Sequence, residues 1–323
     1  MSIVVPCFNE EEVLDETTKE LTAILDHLVK NRKISPDSQI FFVDDGSRDR
    51  TWTLIQHKSE ENHFVQGVKL SRNFGHQFAL LAGMETAVKI SDCIISIDAD
   101  LQDDVQTIPK MVDKYLDGFD IVYGVRDKRD TDTFFKRNTA LAFYRLMNRM
   151  GVRLVPNHAD FRLMSRRAVE ELAHYHEENI FLRGIVPLLG FPSTKVYYNR
   201  KERFAGKSKY PFKKMIAFAV EGITSFSVVP IKLVTSLGFS IVAIGVVIAV
   251  YTLVVWLMDH TISGWTSLIL SIWLVGGMQL IAIGVIGEYV GKIFKETKRR
   301  PRYTIETSTL GPAEKQGRGS GNK

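Results

Sequence analysis

Cysteine is scarce in this chain, and its scarcity removes two classes of protein from consideration. The 323 residues include only Cys7 and Cys93, and both lie in or beside apolar stretches. Two such thiols cannot build the disulfide framework of a small secreted scaffold, and no Cys/His spacing typical of a zinc site accompanies them. We expect both to be buried free thiols in a reducing cytosol.

Three glycine-rich motifs are also absent. No Gly-x-Gly-x-x-Gly follows a predicted strand, which argues against a dinucleotide cofactor. The P-loop pattern Gly-x4-Gly-Lys-Ser/Thr is missing, and so is the Gly-x-Ser-x-Gly elbow of the α/β-hydrolases. Any chemistry in this chain therefore has to come from other side chains.

Charge is almost absent from two long runs near the C-terminus, residues 233–258 and 265–287. As helices they would extend roughly 39 Å and 35 Å, and the hydrocarbon core of a bilayer is about 30 Å thick. They predict a two-helix transmembrane hairpin within residues 231–291, with helices at about 233–258 and 265–290. The alternative is a buried helical hairpin of a soluble protein, but soluble core helices rarely continue for about five turns without a charge.

Basic residues flank this predicted hairpin on both sides. The chain has a net charge of +5, and Lys and Arg cluster in residues 195–214 and 292–302. Because the linker between the apolar runs is short, both clusters lie on one side of the membrane. The positive-inside bias then places them, with the N-terminal domain, in the cytoplasm of a multi-pass cell-membrane protein. Such clusters attract anionic lipids, and no nucleic-acid-binding motif accompanies them, so we expect lipid partners and no nucleic acid.

Two further segments complete the predicted membrane region. Apolar residues recur at helical spacing in residues 211–230, opposite charged ones, which indicates a juxtamembrane amphipathic helix in the interface plane. Packing of that helix on the globular domain is the alternative. Residues 292–323 predict a basic, mostly disordered cytoplasmic tail. The spacing Gly287-x-x-x-Gly291 would let helices approach closely, either in a homo-oligomer or within the hairpin.

Residues 1–210 have the pattern of an α/β domain. Short apolar strands alternate with amphipathic helices, which predicts a mostly parallel sheet with helices on both faces. The predicted strands cover residues 3–5, 40–43, 65–70, 93–97 and 120–123. In open sheets of this kind, ligands bind at the carboxyl ends of the strands.

Acidic residues cluster at three of those strand ends. The motifs after the first, second and fourth strands are Asn9-Glu10, Asp44-Asp45 and Asp98-Ala-Asp100. Residues i and i+2 of a strand point the same way, so Asp98 and Asp100 can address one site. A lone Asp-x-Asp is more often a solvated turn, but three clusters at one sheet edge favour Mg²⁺ or Mn²⁺ bound to substrate phosphates. Asp103 and Asp104 are alternative ligands, or else favour the start of the next helix.

Together with further motifs, these clusters give the chain a family resemblance. The set reads Val-Val-Pro6-x-x-Asn9-Glu10, Asp44-Asp45-Gly-Ser, Ser71-Arg-Asn73-Phe-Gly75, Asp98-Ala-Asp100-Leu-Gln102, Asp160-Phe-Arg162-Leu-Met and Arg203-Phe-Ala-Gly-Lys-Ser208-Lys209-Tyr210. In this order they resemble the polyisoprenyl-phosphate glycosyltransferases of glycosyltransferase family 2, of the bactoprenol (undecaprenyl-phosphate) glucosyltransferase type with a two-helix membrane anchor. The resemblance covers residues 1 to about 300 and implies a GT-A fold for the catalytic domain.

The resemblance implies a site for a nucleoside diphosphate sugar and a divalent metal ion. Asp100 and Asp98 would hold Mg²⁺ or Mn²⁺ on the diphosphate, where the ion stabilises the leaving group. Contact with the ribose is the alternative role for Asp98. The implied nucleotide-sugar residues are Pro6, Asn9, Glu10, Asp44, Asp45, Asn73, Asp98 and Gln102.

The resemblance also implies a polyprenyl monophosphate as the acceptor. The second pKa of such a phosphate is about 6, so near neutral pH it needs positioning more than deprotonation. The implied catalytic residues are Asp160, Arg126 and Arg203, with Asp160 either a base or an orienting group. A structural pair of Asp160 with Arg162 is the alternative, and no catalytic role is expected for His76. The implied acceptor-phosphate residues are Arg129, Arg162, Ser208, Lys209 and Tyr210.

The activity expected from the resemblance is inverting transfer of one hexose, glucose from UDP-glucose, to undecaprenyl phosphate. The product would supply a flippase and an outer-face glycosyltransferase for cell-envelope glycosylation. Alternative donors are GDP-mannose, as in a polyprenyl-phosphate mannose synthase, and UDP-N-acetylglucosamine. A processive polysaccharide synthase is disfavoured because no Gln-x-x-Arg-Trp is present. A membrane-anchored scaffold that binds nucleotide sugars without catalysis is the alternative from a different class.

Overall fold

The computed structural model describes residues 1–127, 158–177, 180–199 and 265–310, together with scattered positions between 231 and 254. These residues belong to two compact units. The first is an α/β unit that holds the described residues up to 199 and resumes at Arg300. The second ends at Arg299 and contains a long apolar helix.

In the first unit, the described strands form one mixed sheet. The strands are β1 (Ser2–Cys7), β2 (Gln39–Asp44), β3 (Val65–Leu70), β4 (Cys93–Ser96), β5 (Ile121–Arg126), β6 (His158–Ser165), β7 (Ser193–Tyr198) and β8 (Ile305–Ser308). Their order across the sheet is β7-β5-β6-β4-β1-β2-β3-β8. The α-helices among the described residues of this unit are α1 (Leu14–Lys30), α2 (Thr51–Glu61), α3 (His76–Ala87), α4 (Ile108–Leu116), α5 (Arg166–Ala173) and α6 (Leu182–Ile185).

Parallel pairing dominates the centre of the sheet. β1 runs parallel to both β2 and β4, and β2 runs parallel to β3. β6 is antiparallel to β4 and β5, whereas β5 and β7 are parallel. The predicted mostly parallel α/β sheet is confirmed, and each of the five predicted strands is present. Cys7 and Cys93 are buried free thiols, as expected.

Alternating side chains on β1 contribute to packing on both faces of the sheet. Ile3 and Val5 belong to the same hydrophobic cluster as Leu21 of α1. Val4 points the other way, towards α3, where a Cβ added at Gly83 would lie 2.4 Å from Val4 Cγ1. Only a residue without a side chain lets α3 pack this closely on the sheet. The helices therefore enclose the centre of the sheet and leave its strand ends for other groups.

The strand β8 joins the sheet from far along the chain. It pairs antiparallel with β3, with Val68 opposite Ser308 and Lys69 opposite Thr307. This differs from the expected, mostly disordered tail at 292–323. The chain is helical up to Thr297 and forms β8 at Ile305–Ser308, while 311–323 lie outside the described residues. Pairing with β8 satisfies backbone groups that β3 would otherwise present at the sheet edge.

Polar contacts anchor the segment that leads into β8. Arg302 donates hydrogen bonds of 2.7 Å to Glu85 Oε1 and of 2.7 Å to the Tyr175 carbonyl oxygen. The Tyr303 hydroxyl also donates to the Glu85 carboxylate. The Arg302 side chain is only 12% exposed, so water competes little for these bonds. The C-terminal segment is thereby tied to α3, the helix that follows the Ser71–Gly75 motif.

We expect Arg302→Ala to lower the free energy of unfolding by about 2 kcal/mol, because Glu85 and the Tyr175 carbonyl lose a largely buried donor. For a chain of this size, the midpoint of thermal unfolding of the purified protein should fall by about 4–8 °C. Lys69→Ala is the matched control, because it removes the more exposed Lys69–Glu306 pair. That loss should cost about 1 kcal/mol or less. Equal shifts in the two variants would contradict the anchoring role of Arg302.

The second unit contains the helix α7 (Trp265–Thr297). Within the part of the chain that the structure describes, one helical segment, Val275–Thr297, is long and apolar enough to cross a membrane, with a mean hydropathy of 1.3. Apolar side chains such as Leu280 and Ile281 are exposed along it. The predicted helix at 211–230 lies outside the described residues, and 233–258 lies largely outside them. The two-helix hairpin therefore stays a prediction.

Candidate active site

The carboxyl ends of β1 and β2 lie side by side, and the loops that follow them are joined through Asn9. β1 pairs with β2 as far as Cys7 opposite Asp44. The Asn9 backbone N–H donates to Ser47 Oγ at 2.9 Å, and the Arg48 N–H donates to Asn9 Oδ1 at 2.9 Å. Asn9 itself is left-handed, with a φ of 55°. These bonds hold the two predicted motifs together at one edge of the sheet.

Asp45 holds a third loop, the Ser71–Gly75 motif, against this edge. Its Oδ1 accepts the Phe74 N–H at 2.7 Å, and its Oδ2 accepts the Gly75 N–H at 2.9 Å. Burial raises the pKa of Asp45, while these two bonds act to lower it. Gly46 has a φ of 69°, and a Cβ there would lie 2.5 Å from the backbone carbonyl carbon of Arg72. Glycine is therefore required where the two loops touch.

Asp44 presents a buried oxygen at the end of β2. The residue is fully buried, and its Oδ1 accepts the Ser47 N–H at 3.2 Å. Oδ2 has no hydrogen-bond partner among the described residues. Burial raises the pKa of Asp44, partly offset by the bonds from Ser47. Because buried carboxylate oxygens are rarely left without a donor, Oδ2 is a candidate acceptor for an N–H or O–H of a ligand.

Asp98 and Asp100 follow β4 and carry the carboxylates of the predicted metal site. Asp98 Oδ1 is buried without a hydrogen-bond partner among the described residues, and His76 Nε2 lies 3.4 Å from it. Burial and the neighbouring Asp160 charge raise the pKa of Asp98 to about 6, although His76 opposes the shift. Asp100 Oδ1 accepts the Gln102 N–H at 3.2 Å, and Leu101 between them is left-handed, with a φ of 53°.

The chemistry of this carboxylate pair fits a hard divalent cation. Mg²⁺ and Mn²⁺ prefer oxygen ligands, and Asp98 Oδ1 makes no hydrogen bond to the described residues. In the described part of the chain, no three His, Cys, Asp or Glu side chains group closely enough to hold a metal by themselves. The pair therefore suits an ion that takes its other ligands from a bound phosphate and from water.

The Asp160 carboxylate, on β6, is surrounded by donors. Arg162 Nη2 donates to its Oδ1 at 2.6 Å, and Arg183 donates to both oxygens, from Nε at 3.2 Å and from Nη2 at 3.0 Å. Gln77 Nε2 and His76 Nε2 lie 3.5 Å and 3.7 Å from Oδ2. Burial alone would raise the pKa of Asp160, but Arg183 and Arg162 outweigh it and hold that pKa well below its usual range. Asp160 is therefore ionised throughout the neutral pH range.

Arg126, at the end of β5, is held by a different carboxylate. Its Nη2 donates to Asp103 Oδ1 at 3.0 Å, and the Tyr198 hydroxyl donates to the same oxygen. The Asp103 side chain is 1% exposed, whereas that of Arg126 is 28% exposed. Asp104 Oδ1 accepts the Gln106 N–H at 3.3 Å and so caps the next turn. Both carboxylates therefore have structural partners, although Asp103 Oδ2 is buried without a hydrogen bond among the described residues.

The remaining predicted residues divide into those near this edge, one that is sealed, and those outside the described residues. Glu10, Asn73 and Gln102 lie in the loops at the edge, and Pro6 is the second-to-last residue of β1. Arg162 is 1% exposed and is turned towards Asp160, so direct contact with an acceptor phosphate does not fit its burial. The predicted residues that lie outside the described part are Arg129, Arg203, Ser208, Lys209 and Tyr210.

Gln77 and Arg183 of the Asp160 network were not predicted from the sequence, and His76 was expected to have no catalytic role. His76 and Gln77 begin α3 directly after the Ser71–Gly75 motif, so their place in the chain was a usable signal. Arg183 carries no such signal, because it follows Phe181 and Leu182 in a stretch without a recognisable motif. Only the folded chain brings it to Asp160.

Comparisons with known proteins identify the family of this chain. The family model for Glycosyl transferase family 2 matches residues 2–173. The chain is 57% identical to the uncharacterized glycosyltransferase YkoT of Bacillus subtilis, over 98% of this chain and 95% of that protein. It is 38% identical to the bactoprenol glucosyl transferase of Shigella phage SfX, over 95% of this chain and 99% of that protein.

Solved structures show a weaker likeness. The glucosyl-3-phosphoglycerate synthase of Mycobacterium tuberculosis is similar over 69% of this chain and 77% of that chain, with a TM-score of 0.41 and 17% sequence identity.

Proposed function

This chain belongs to glycosyl transferase family 2 and is a glycosyltransferase, and we propose that it transfers one glucose from UDP-glucose to undecaprenyl phosphate. The observation that carries this proposal is the match, along nearly the whole chain, to a phage bactoprenol glucosyl transferase. The segment Val275–Thr297, which is long and apolar enough to span a membrane, supports an acceptor that lies in lipid.

The nucleotide sugar is proposed to bind where the loops after β1, β2 and β4 meet. Asp44 Oδ2 needs a donor, and an N–H of the base or an O–H of the ribose would supply one. Asp45 uses both oxygens on the Ser71–Gly75 loop, so its proposed contribution is to hold Asn73 in place. The other residues proposed for this site are Pro6, Asn9, Glu10, Asp98 and Gln102.

Asp100 and Asp98 are proposed to hold Mg²⁺ or Mn²⁺ beside the diphosphate of the donor. When bound there, the ion would offset the negative charge that develops on UDP as it leaves. The oxygen chemistry of the pair supports this assignment, and so does the lack of a hydrogen bond to Asp98 Oδ1 from the described residues.

The proposed reaction is a single displacement at the anomeric carbon of the sugar. An oxygen of the acceptor phosphate forms the new C–O bond while the bond to UDP breaks, and the electron pair of that bond leaves with UDP. An α-linked donor then gives a β-linked lipid-phosphate sugar. The acceptor phosphate, with a second pKa of about 6, is already largely ionised near neutral pH. It therefore needs a fixed position more than a base.

Asp160 is assigned an orienting role in this reaction. A carboxylate whose pKa lies well below its usual range is a weak proton acceptor. Its two arginine partners fix its direction, and buried Arg162 belongs to that support. Arg126 is proposed to lie near the phosphates, because its side chain is partly exposed at the end of β5. The other residues proposed for the phosphates are Arg129, Arg203, Ser208, Lys209 and Tyr210.

The proposed organisation places residues 1–210 on the cytoplasmic face of the cell membrane. The juxtamembrane helix at 211–230 and the hairpin at 231–291 would then carry the chain to and through the bilayer, and the basic residues that flank them support this orientation. The product would pass to a flippase and to an outer-face glycosyltransferase. Assembly as a homo-oligomer is part of the same proposal.

Membranes that contain this protein, undecaprenyl phosphate and Mg²⁺ or Mn²⁺ are expected to form a lipid-linked sugar from UDP-glucose. EDTA should abolish the product, and membranes without the protein are the control. The donor panel also includes GDP-mannose and UDP-N-acetylglucosamine, and NMR of the product gives its anomeric configuration. Product from GDP-mannose alone would replace glucose by mannose in the proposal. Nucleotide binding without product from any donor would favour the scaffold alternative.

A further inference from the structure

The helical turn that carries Arg183 is held from two sides at the preceding residue. The Leu182 N–H donates to Gln77 Oε1 at 3.2 Å, and the Leu182 carbonyl accepts from Arg162 Nη1 at 3.5 Å. Both bonds come from side chains of other elements, α3 and β6. The backbone at Arg183 therefore has a defined position relative to the sheet edge.

The same two side chains also contact Asp160, which closes the network. Gln77 Nε2 lies 3.5 Å from Asp160 Oδ2, and Arg162 Nη2 lies 2.6 Å from Oδ1. Arg183 completes the arrangement by pairing with both carboxylate oxygens. Gln77, Arg162 and Leu182 each contact two other members and Asp160 contacts three, so the carboxylate that binds Arg183 is held in a fixed direction.

The two arginines on Asp160 differ in exposure. The side chains of Arg162 and Asp160 are 1% and 6% exposed, so this pair is sealed and electrically neutral. The Arg183 side chain is 37% exposed and pairs with the same carboxylate at 3.0 Å. Arg183 is therefore the cation of the network that a bound anion can approach from solvent.

We propose that Arg183 is a phosphate-binding residue of the acceptor subsite, held in position by Asp160. Guanidinium groups bind phosphate through several N–H donors at once, which suits the monophosphate of the lipid acceptor. The inference rests on the proposed function for the nature of that acceptor. It takes the role that the sequence assigned to Arg162 and gives it to the neighbour that solvent can reach.

The test measures transfer kinetics of the purified full-length protein with undecaprenyl phosphate and UDP-glucose varied in turn. Arg183→Gln is expected to raise the KM for undecaprenyl phosphate about tenfold or more, because a charge-assisted contact is lost. The KM for UDP-glucose should stay within about twofold of the wild type. Arg183→Lys should recover part of the loss, because it keeps the charge but not the planar fork.

The matched control is Arg167→Gln. Arg167 pairs with Asp120 in the same way, from Nε at 2.6 Å and from Nη2 at 2.5 Å, but at the amino end of β5, the opposite end of that strand from Arg126. This variant should leave the KM for undecaprenyl phosphate unchanged. Thermal midpoints of all variants report on folding, and if Arg183→Gln does not fold, the KM of Arg183→Lys decides.

The outcomes separate this inference from the proposed function. An active wild type with an unchanged acceptor KM in both Arg183 variants would overturn the inference and leave the proposed function standing. A rise in the KM for UDP-glucose instead would place Arg183 on the donor and also overturn it. A fall in kcat with an unchanged acceptor KM would show that Arg183 acts only through Asp160, and this too would overturn the inference. A wild type that is inactive with undecaprenyl phosphate would overturn both.

Discussion

Replacing Asp160 with asparagine is expected to lower kcat by about 100-fold or more, since misplacement of reacting groups by about 1 Å can have an effect of that size. The amide cannot balance the charges of Arg162 and Arg183, so both guanidiniums lose the anion that orients them. Steady-state transfer assays with saturating donor and acceptor measure the change. Stability should fall as well, because breaking a buried ion pair costs about 3–5 kcal/mol.

Asp120→Asn is the matched control for the loss of stability. Asp120 is also buried, and both its oxygens accept hydrogen bonds from one arginine, Arg167. This pair lies at the amino end of β5, away from the candidate site. This variant should destabilise the protein without a comparable fall in kcat per folded molecule. If the two variants lost activity in proportion to their stability alone, Asp160 would have no role in the reaction beyond folding.

The low pKa of Asp160 also predicts how pH acts on this residue. A carboxylate whose pKa is lowered by folding stabilises the protein above its unfolded pKa, about 3.9, and this contribution is lost as pH falls through the folded value. Between about pH 5 and 8, Asp160 should therefore not titrate. A kcat profile with a limb near neutrality that disappears in Asp160→Asn would contradict the orienting role and favour a base.

Replacing Asp100 with alanine is expected to lower product formation by about 100- to 1000-fold, an effect of the size seen when a stabiliser of developing charge is removed. In the proposed site, Asp100 is a principal oxygen ligand of the divalent ion on the donor diphosphate. Loss of that ligand removes the charge that offsets the leaving group. The assay is the same transfer reaction, with Mg²⁺ or Mn²⁺ titrated in both proteins.

A binding measurement makes this prediction independent of activity. In the wild type, Mn²⁺ should strengthen UDP binding, and in Asp100→Ala this dependence should disappear. Asp104→Ala is the matched control, because Asp104 is a nearby carboxylate that caps a turn through Gln106. It should keep both product formation and the effect of Mn²⁺. Unchanged product formation in Asp100→Ala would contradict the metal assignment.

Much of the sheet and its acidic edge could be predicted from local pattern. The five predicted strands are all present, because buried parallel strands are read from short apolar runs between helices. The residues that follow β1, β2 and β4 lie at one edge of the sheet, as expected for parallel neighbouring strands. β8 was missed, because Ile305 is the only strongly apolar residue in this strand. Its pairing depends on β3, more than 200 positions earlier in the chain.

Within the site, the sequence identified residue types better than residue roles. Asp45 was assigned to the nucleotide, yet both its oxygens hold the Phe74 and Gly75 amides. Arg162 was assigned to the acceptor phosphate, yet it is sealed against Asp160. A motif shows that a charged residue is present, but its role depends on which donors and acceptors surround it. Those neighbours come from distant parts of the chain.

The sequence by itself determined the α/β class, the family and the line of carboxylates at Asp44, Asp98 and Asp100, because each depends on residues close together in the chain. Tertiary structure alone decided that Asp160 faces two arginines and that Arg183 is the one solvent can reach. The physical reason is that burial and ion pairing are properties of the space between elements. A local pattern of residues does not show which charged side chains become buried between elements or which partners they find there.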